Sequence, residues 1–172
     1  MIADAKGIMP DSLKVEADQR FFERALDKVD VVVHGRLSHE QQSRSHLRRR
    51  VIVTRQVAAL APDPSNEKAV LWNPAGTSFE QALAALGAPG GSVGVIGGTD
   101  VFALFLDRYG VFYVSRVRDV RLPGGRPVFP DVPSRTPEEV LAAHGLDRGR
   151  CEVFDPANGL TIIRWQPSSP LG

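Results

Sequence analysis

A single cysteine, Cys151, denies the chain any internal disulfide, and that scarcity fits a reducing cytoplasm better than an oxidising compartment. Long apolar runs are also missing. None approaches the ~20 residues of a membrane span, and no signal-peptide pattern opens the sequence. A cytoplasmic setting with no membrane partner is therefore expected. Charge of one sign is lacking too: 21 Lys+Arg against 20 Asp+Glu leave a net charge of +1. That balance argues against a dedicated nucleic-acid binder while leaving room for an anionic small molecule. His34, His39 and His46 show no metal-ligand spacing, so no metal is expected. Neither a G-x-G-x-x-G turn with a later acidic ribose ligand nor a Walker loop occurs, which sets aside the doubly wound dinucleotide folds and the P-loop folds.

What is present suffices for a core. The 172 residues, 42% of them hydrophobic, fit one domain over 1–166 with a tail at 167–172, and alternating helix-like and strand-like segments point to an α/β or α+β class. The stretch 92–106 (S-V-G-V-I-G-G-T-D-V-F-A-L-F-L) reads as strand, glycine turn and helix. Val93, Val95 and Ile96 form the strand, Gly97-Gly98 break it, and Thr99 caps a helix carrying Val101, Phe102, Phe105 and Leu106. Two adjacent glycines let a phosphate or flat ring approach the turn; an unliganded tight turn fits the same residues.

The spacing of Ala17, Phe21, Phe22, Ala25 and Leu26 predicts a helix over 16–28, and Asp18 shares its apolar face. A carboxylate there is either a first-turn acid stabilised by the helix dipole or an arginine, or a pocket group that grips a donor-rich heterocycle or helps to protonate it. Strands are expected at 30–34, 51–53, 69–72, 111–117, 151–154 and 160–165, the last two as a hairpin, with helices at 78–86 and 138–143. Residues 1–10 and 61–68 read as loops. Gly35, Arg36 and the candidate N-cap Ser38 follow the first of these strands, and Thr54-Arg55 follow the second. Arg36 and Arg55 are thus placed to meet phosphates. Ser115 is expected among apolar neighbours, where its hydroxyl needs a partner.

Six segments together resemble the dihydrofolate reductases and the related reductase domains of riboflavin-biosynthesis proteins. They are A-D-Q-R-F-F (17–22), V-V-H-G-R-L-S-H-E (32–40), V-I-V-T-R (51–55), V-I-G-G-T-D-V-F (95–102), Y-V-S (113–115) and V-F-P-D (128–131), in the family's order across most of the chain. The resemblance implies a three-layer α/β fold: a central, mostly parallel sheet with a C-terminal antiparallel hairpin and helices on both faces. It implies NADPH as cofactor and hydride transfer to a C=N bond. Asp18 would hold the pterin, Phe22 would pack on it, and Ser115 would link carboxylate and ring. Gly35, Arg36, Ser38, Thr54, Arg55, Gly97, Gly98 and Thr99 would bind the cofactor, and Arg48 would meet the tail of the substrate.

Gln19 stands where dihydrofolate reductases carry a bulky apolar residue, the mobile-loop tryptophan is missing near Asp11-Ser12, and the G-R-P-V-F stretch at 125–129 looks more like the riboflavin-type enzymes. Dihydrofolate is the lead substrate, a phosphoribosylamino-pyrimidine the alternative, and a non-catalytic nucleotide-binding or dimerisation module the competitor from another class. A homodimer is compatible with all three. The resemblance also places a buried central strand before the segment matching 1–4. An open slot in the sheet, a substitute strand or strand exchange between protomers is expected in its place.

Overall fold

The computed structural model describes residues 1–36 and 44–168. The chain divides into two compact units, one from Arg24–Val101 and the other from Met1–Glu23 together with the chain from Phe102 on.

In the 24–101 unit the apolar run V-V-V-H makes strand β1 (Val31–Gly35), with Val31, Val32 and Val33 buried. A strand buried along its length is what a parallel sheet demands. β1 is flanked in parallel by β2 (Arg49–Val53) and β5 (Val93–Val95). Outside β2 lie β4 (Ala69–Trp72), again parallel, and β3 (Leu60–Pro62), antiparallel, giving the order β3-β4-β2-β1-β5. Helix α2 (Phe79–Ala85) starts at a capping box in which Ser78 Oγ accepts from Gln81 N at 3.3 Å and Gln81 Oε1 accepts from Ser78 N at 3.2 Å. It buries Phe79, Ala82 and Leu83, and the Phe79 ring lies 5.2 Å from that of Trp72.

The other unit is built on a three-stranded antiparallel sheet, β6-β8-β7, from β6 (Phe112–Val117), β7 (Leu146–Asp155) and β8 (Leu160–Pro167). Phe112, Trp165 and Ile163 enter one core with Phe129, Leu141 and Val140, the last two from helix α4 (Pro137–Ala143). Thr136 and Glu139 give α4 its own capping box, with Pro137 at the helix start. Helix α1 (Glu16–Leu26) begins in this unit, and helix α3 (Thr99–Leu104) ends in it.

Three expectations need correction. Residues 61–68 are not loop throughout, since Leu60–Pro62 pair with Trp72–Val70; Pro62, without an N–H, is tolerated because β3 is an edge strand. Residues 1–10 are not only loop: Ala3 bridges to Arg126, with Ile2 N donating to Arg126 O at 2.8 Å and Arg126 N to Ala3 O at 2.9 Å. β7 starts at Leu146, five residues early, because two register shifts, between Arg148 and Cys151 and between Val153 and Asp155, let β8 take up an irregular segment. The expected C-terminal antiparallel hairpin is present as β7 and β8, and β6 joins it to make a three-stranded sheet. Among the described residues β5 pairs on one side only, with β1, and β6 on one side only, with β8.

Gly76 supplies a test of packing. A Cβ there would stand 2.6 Å from Ala59 Cα and closer still to the Ala58 carbonyl, whereas at Gly110 it would meet nothing within 4 Å. Gly76→Ala is expected to cost about 1–3 kcal/mol or more in urea unfolding, and Gly110→Ala to stay within about 1 kcal/mol of the parent.

Candidate functional site

Parallel strands in register end along the same edge of their sheet, and the loops leaving that edge are where α/β proteins hold ligands. In the 24–101 unit this edge is tied together by backbone bonds. Gly35 N donates to Gly97 O at 3.1 Å, Arg36 N to Val53 O at 3.1 Å, and Thr54 N to Trp72 O at 2.9 Å. Gly35, Arg36, Thr54, Arg55, Gly97, Gly98 and Thr99 are therefore gathered on one edge, although they come from three separate stretches of sequence. Gly97 is buried with φ +108°, a backbone only glycine adopts easily. Gly98 is half-exposed, and a Cβ on it would meet nothing within 4 Å, so the turn presents an open, unobstructed face.

Arg36 and Arg55 are exposed, and neither bonds a carboxylate among the described residues. Thr54 is buried and its Oγ1 accepts from Gln56 N at 3.1 Å, which commits the acceptor side of the hydroxyl to its own turn. Thr99 opens α3, whose six residues make any dipole contribution small, and Asp100 is exposed. Ser38 lies outside the described residues.

The second cluster is in the other unit. Ser115 Oγ donates to Asp18 Oδ1 at 2.7 Å, joining α1 to β6 across 97 residues of sequence. Rings hold the two in place. Phe21, nearly one turn after Asp18, meets Tyr113 edge-on at 5.1 Å and Phe154 at 5.2 Å, so it bridges from β6 to β7. Tyr113 and Ser115 are two residues apart on β6 and share a face, which sets the hydroxyl beneath the carboxylate. Asp18 and Phe22 are half-buried. Ser115 is exposed rather than surrounded by apolar neighbours, because β6 is an edge strand. Sequence reasoning placed Phe21 on the helix face shared with Asp18 but gave it no ring partner and overlooked Phe154; the only available signal was the F-Y-V-S alternation, which puts an aromatic two residues before the serine.

Arg48 is not on the glycine edge. It precedes β2, at the opposite end of the strand from Thr54, and its Nη2 donates to Asp27 Oδ1 at 2.7 Å. This bond holds the Asp27 carboxyl below its usual range. The structure thus groups Gly35, Arg36, Thr54, Arg55, Gly97, Gly98 and Thr99 of the expected cofactor residues and, separately, Asp18 with Ser115, but leaves Arg48 paired elsewhere. Among the described residues no cluster of three His, Cys, Asp or Glu side chains could hold a metal ion, and no helix is long and apolar enough to cross a membrane.

The architecture is similar to a dihydrofolate reductase from Enterococcus faecalis complexed with NADP(H) and RAB-propyl, with a TM-score of 0.61 and 17% identity over 98% of this chain and 90% of that one. The chain has the dihydrofolate reductase fold. It is also similar to a diaminohydroxyphosphoribosylaminopyrimidine deaminase/5-amino-6-(5-phosphoribosylamino)uracil reductase from Thermotoga maritima, with a TM-score of 0.58 and 16% identity. That match covers 96% of this chain and 52% of the other, so the chain spans about half the length of the bifunctional protein. Neither a family model nor a curated protein matches the sequence. In this reductase fold the two glycines of the turn are not equivalent. Gly97→Ala should cost about 1–3 kcal/mol through backbone strain, and Gly98→Ala less than about 1 kcal/mol, as read from urea midpoints.

Proposed function

We propose that the chain is a cytoplasmic NADPH-dependent reductase whose residues 1–166 work as one functional domain, delivering hydride to a C=N bond of a pterin, with 7,8-dihydrofolate as lead substrate. The observation that carries this reading is the Ser115–Asp18 hydrogen bond. It occupies one lone pair of Oδ1 and orients the carboxylate, leaving Oδ2 to accept from the paired N–H donors of an amino-substituted heterocycle. Reduction of a C=N bond needs a hydride at carbon and a proton at nitrogen. NADPH supplies the hydride when bound; Asp18 holds the ring by its N–H donors and favours protonation at the ring nitrogen. Phe22 would pack on the ring.

The glycine edge fits such a cofactor. The open face at Gly98 leaves room for a flat ring or phosphate, and Arg36 and Arg55 are guanidiniums with no bonded carboxylate among the described residues. Forked, charge-assisted bonds from Arg55 would distinguish NADPH from NADH by the extra phosphate, with Gly35 and Thr99 close by on the same edge. The G-R-P-V-F stretch at 125–129 favours a second reading, a reductase of a phosphoribosylamino-pyrimidine from the riboflavin pathway.

Asp18→Asn is expected to lower hydride transfer by about 100-fold or more while NADPH affinity changes less than about twofold, followed by single-turnover NADPH oxidation with each substrate in turn. Full activity in the variant sinks the reading, and NADPH binding without turnover of either substrate by the parent identifies a non-catalytic module. A separate titration addresses the cofactor. Arg55→Ala should remove most of a preference for NADPH over NADH, by about tenfold or more, and equal affinity for both nucleotides in the parent overturns the assignment.

A further inference from the structure

The turn at 156–159, which joins β7 to β8, carries the chain's one Asn-Gly pair, Asn158-Gly159. A carboxamide followed by glycine is open to attack by the next backbone nitrogen, because no Cβ on the glycine shields that nitrogen. The other two asparagines are not built this way. Asn66 precedes Glu67, and Asn73 precedes Pro74, whose ring nitrogen has no hydrogen to lose. Asn158 is exposed, so water reaches it freely. Gly159 N donates to Pro156 O across 3.3 Å, beyond the usual range of about 2.7–3.2 Å, and is lightly held.

The fold calls for both residues of the pair. Gly159 has φ +62°, a Cβ on it would stand 2.7 Å from Arg118 Cβ, and its carbonyl accepts from Arg118 N at 3.1 Å. Conformation and space together therefore disfavour any larger residue at 159. Asn158 is tied to Asp155. Asp155 Oδ2 accepts from Asn158 Nδ2 at 2.7 Å, while Oδ1 accepts from Ala157 N at 3.1 Å and Asn158 N at 3.2 Å. These bonds hold the Asp155 carboxyl below its usual range, the one from the Asn158 side chain contributing most. Closing a five-membered ring onto Gly159 N requires the Asn158 side chain to turn about its first torsion, and the bond to Asp155 restrains that rotation. Because the bond is exposed, water competes for it, and the restraint is worth about tenfold at most.

We infer that Asn158 is a site of spontaneous deamidation restrained by Asp155, independent of the reductase reading. Gly159 N gives up its proton to solvent and attacks Asn158 Cγ. The Cγ–Nδ2 bond breaks, and ammonia departs with a proton taken from water, leaving a cyclic imide. Water then opens the imide at either carbonyl, giving aspartate or isoaspartate with no change of oxidation state. The product sets a carboxylate where the Asp155 carboxylate had a donor, so the turn loses a bond and gains a like-charge repulsion. It also cancels the formal net charge of +1, and a chain without net charge associates more readily.

The test is incubation of the full chain at mildly alkaline pH and body temperature, followed by peptide mapping in a mass spectrometer. A gain of one mass unit is expected in the peptide holding Asn158, divided between aspartate and isoaspartate, with Asn66 and Asn73 unchanged over the same period. Asp155→Ala should speed the gain by about three- to tenfold in the folded protein. In concentrated urea the parent and Asp155→Ala should react at the same rate, and both faster than the folded parent, which separates the restraint from any effect of position 155 on the chemistry. Asn158→Asp, which carries the product's charge from the outset, should lower the thermal midpoint by about 2–4 °C. No gain at Asn158, a faster gain at Asn66 or Asn73, or equal rates for folded parent and folded Asp155→Ala would each overturn the assignment.

Discussion

Parallel pairing on both sides of Val31–Gly35 governs what the 24–101 unit can do. A strand hydrogen-bonded and buried on every side is largely apolar, and Val31, Val32 and Val33 make it so. Because its partners run in the same direction, every chain exit toward the glycine turns lies on one edge and every entry on the other. Three distant stretches are thereby delivered to one line of backbone, closed by the bonds from Gly35 to Gly97, Arg36 to Val53 and Thr54 to Trp72. The same directionality leaves Arg49 and Lys68 side by side on the entry edge, where neither can reach the turns.

The second unit depends on a different device. Asp18 and Ser115 are 97 residues apart, and a single hydrogen bond could not bring them together against the entropy of the intervening chain. The rings of Phe21, Tyr113 and Phe154 provide the apolar contact that fixes α1 over the antiparallel sheet, and the polar pair then completes an arrangement already held by packing. The carboxylate stays half-exposed, open to whatever donors approach it.

Features governed by neighbours in sequence were readable in advance. Ser78 with Gln81 made a capping box where a cap was expected, and the buried valines of β1, the glycine turn and the helix bearing Asp18 all lie where their periodicity puts them. The errors fall where distant partners decide the outcome. Leu60–Pro62 is a strand only because β4 presents an edge to it, and β7 extends back to Leu146 only because β8 accepts its register shifts. Arg48 was legible as a cation but not in its direction, since the partner that claims it, Asp27, lies beyond the end of a helix 21 residues earlier. Ser115 was legible as a hydroxyl in need of an acceptor. Its exposure was not, because alternation along β6 does not say that the strand lies at an edge.

Cys151 is exposed on β7, three residues before the Phe154 ring that meets Phe21. As the only thiol in the chain, it accepts one probe at one position without competing cysteines having to be removed first. A fluorophore or spin label attached there would ride on the strand beside the aromatic clamp. Occupancy near Asp18 would then become a spectroscopic signal, read without turnover and without altering any residue assigned a chemical role.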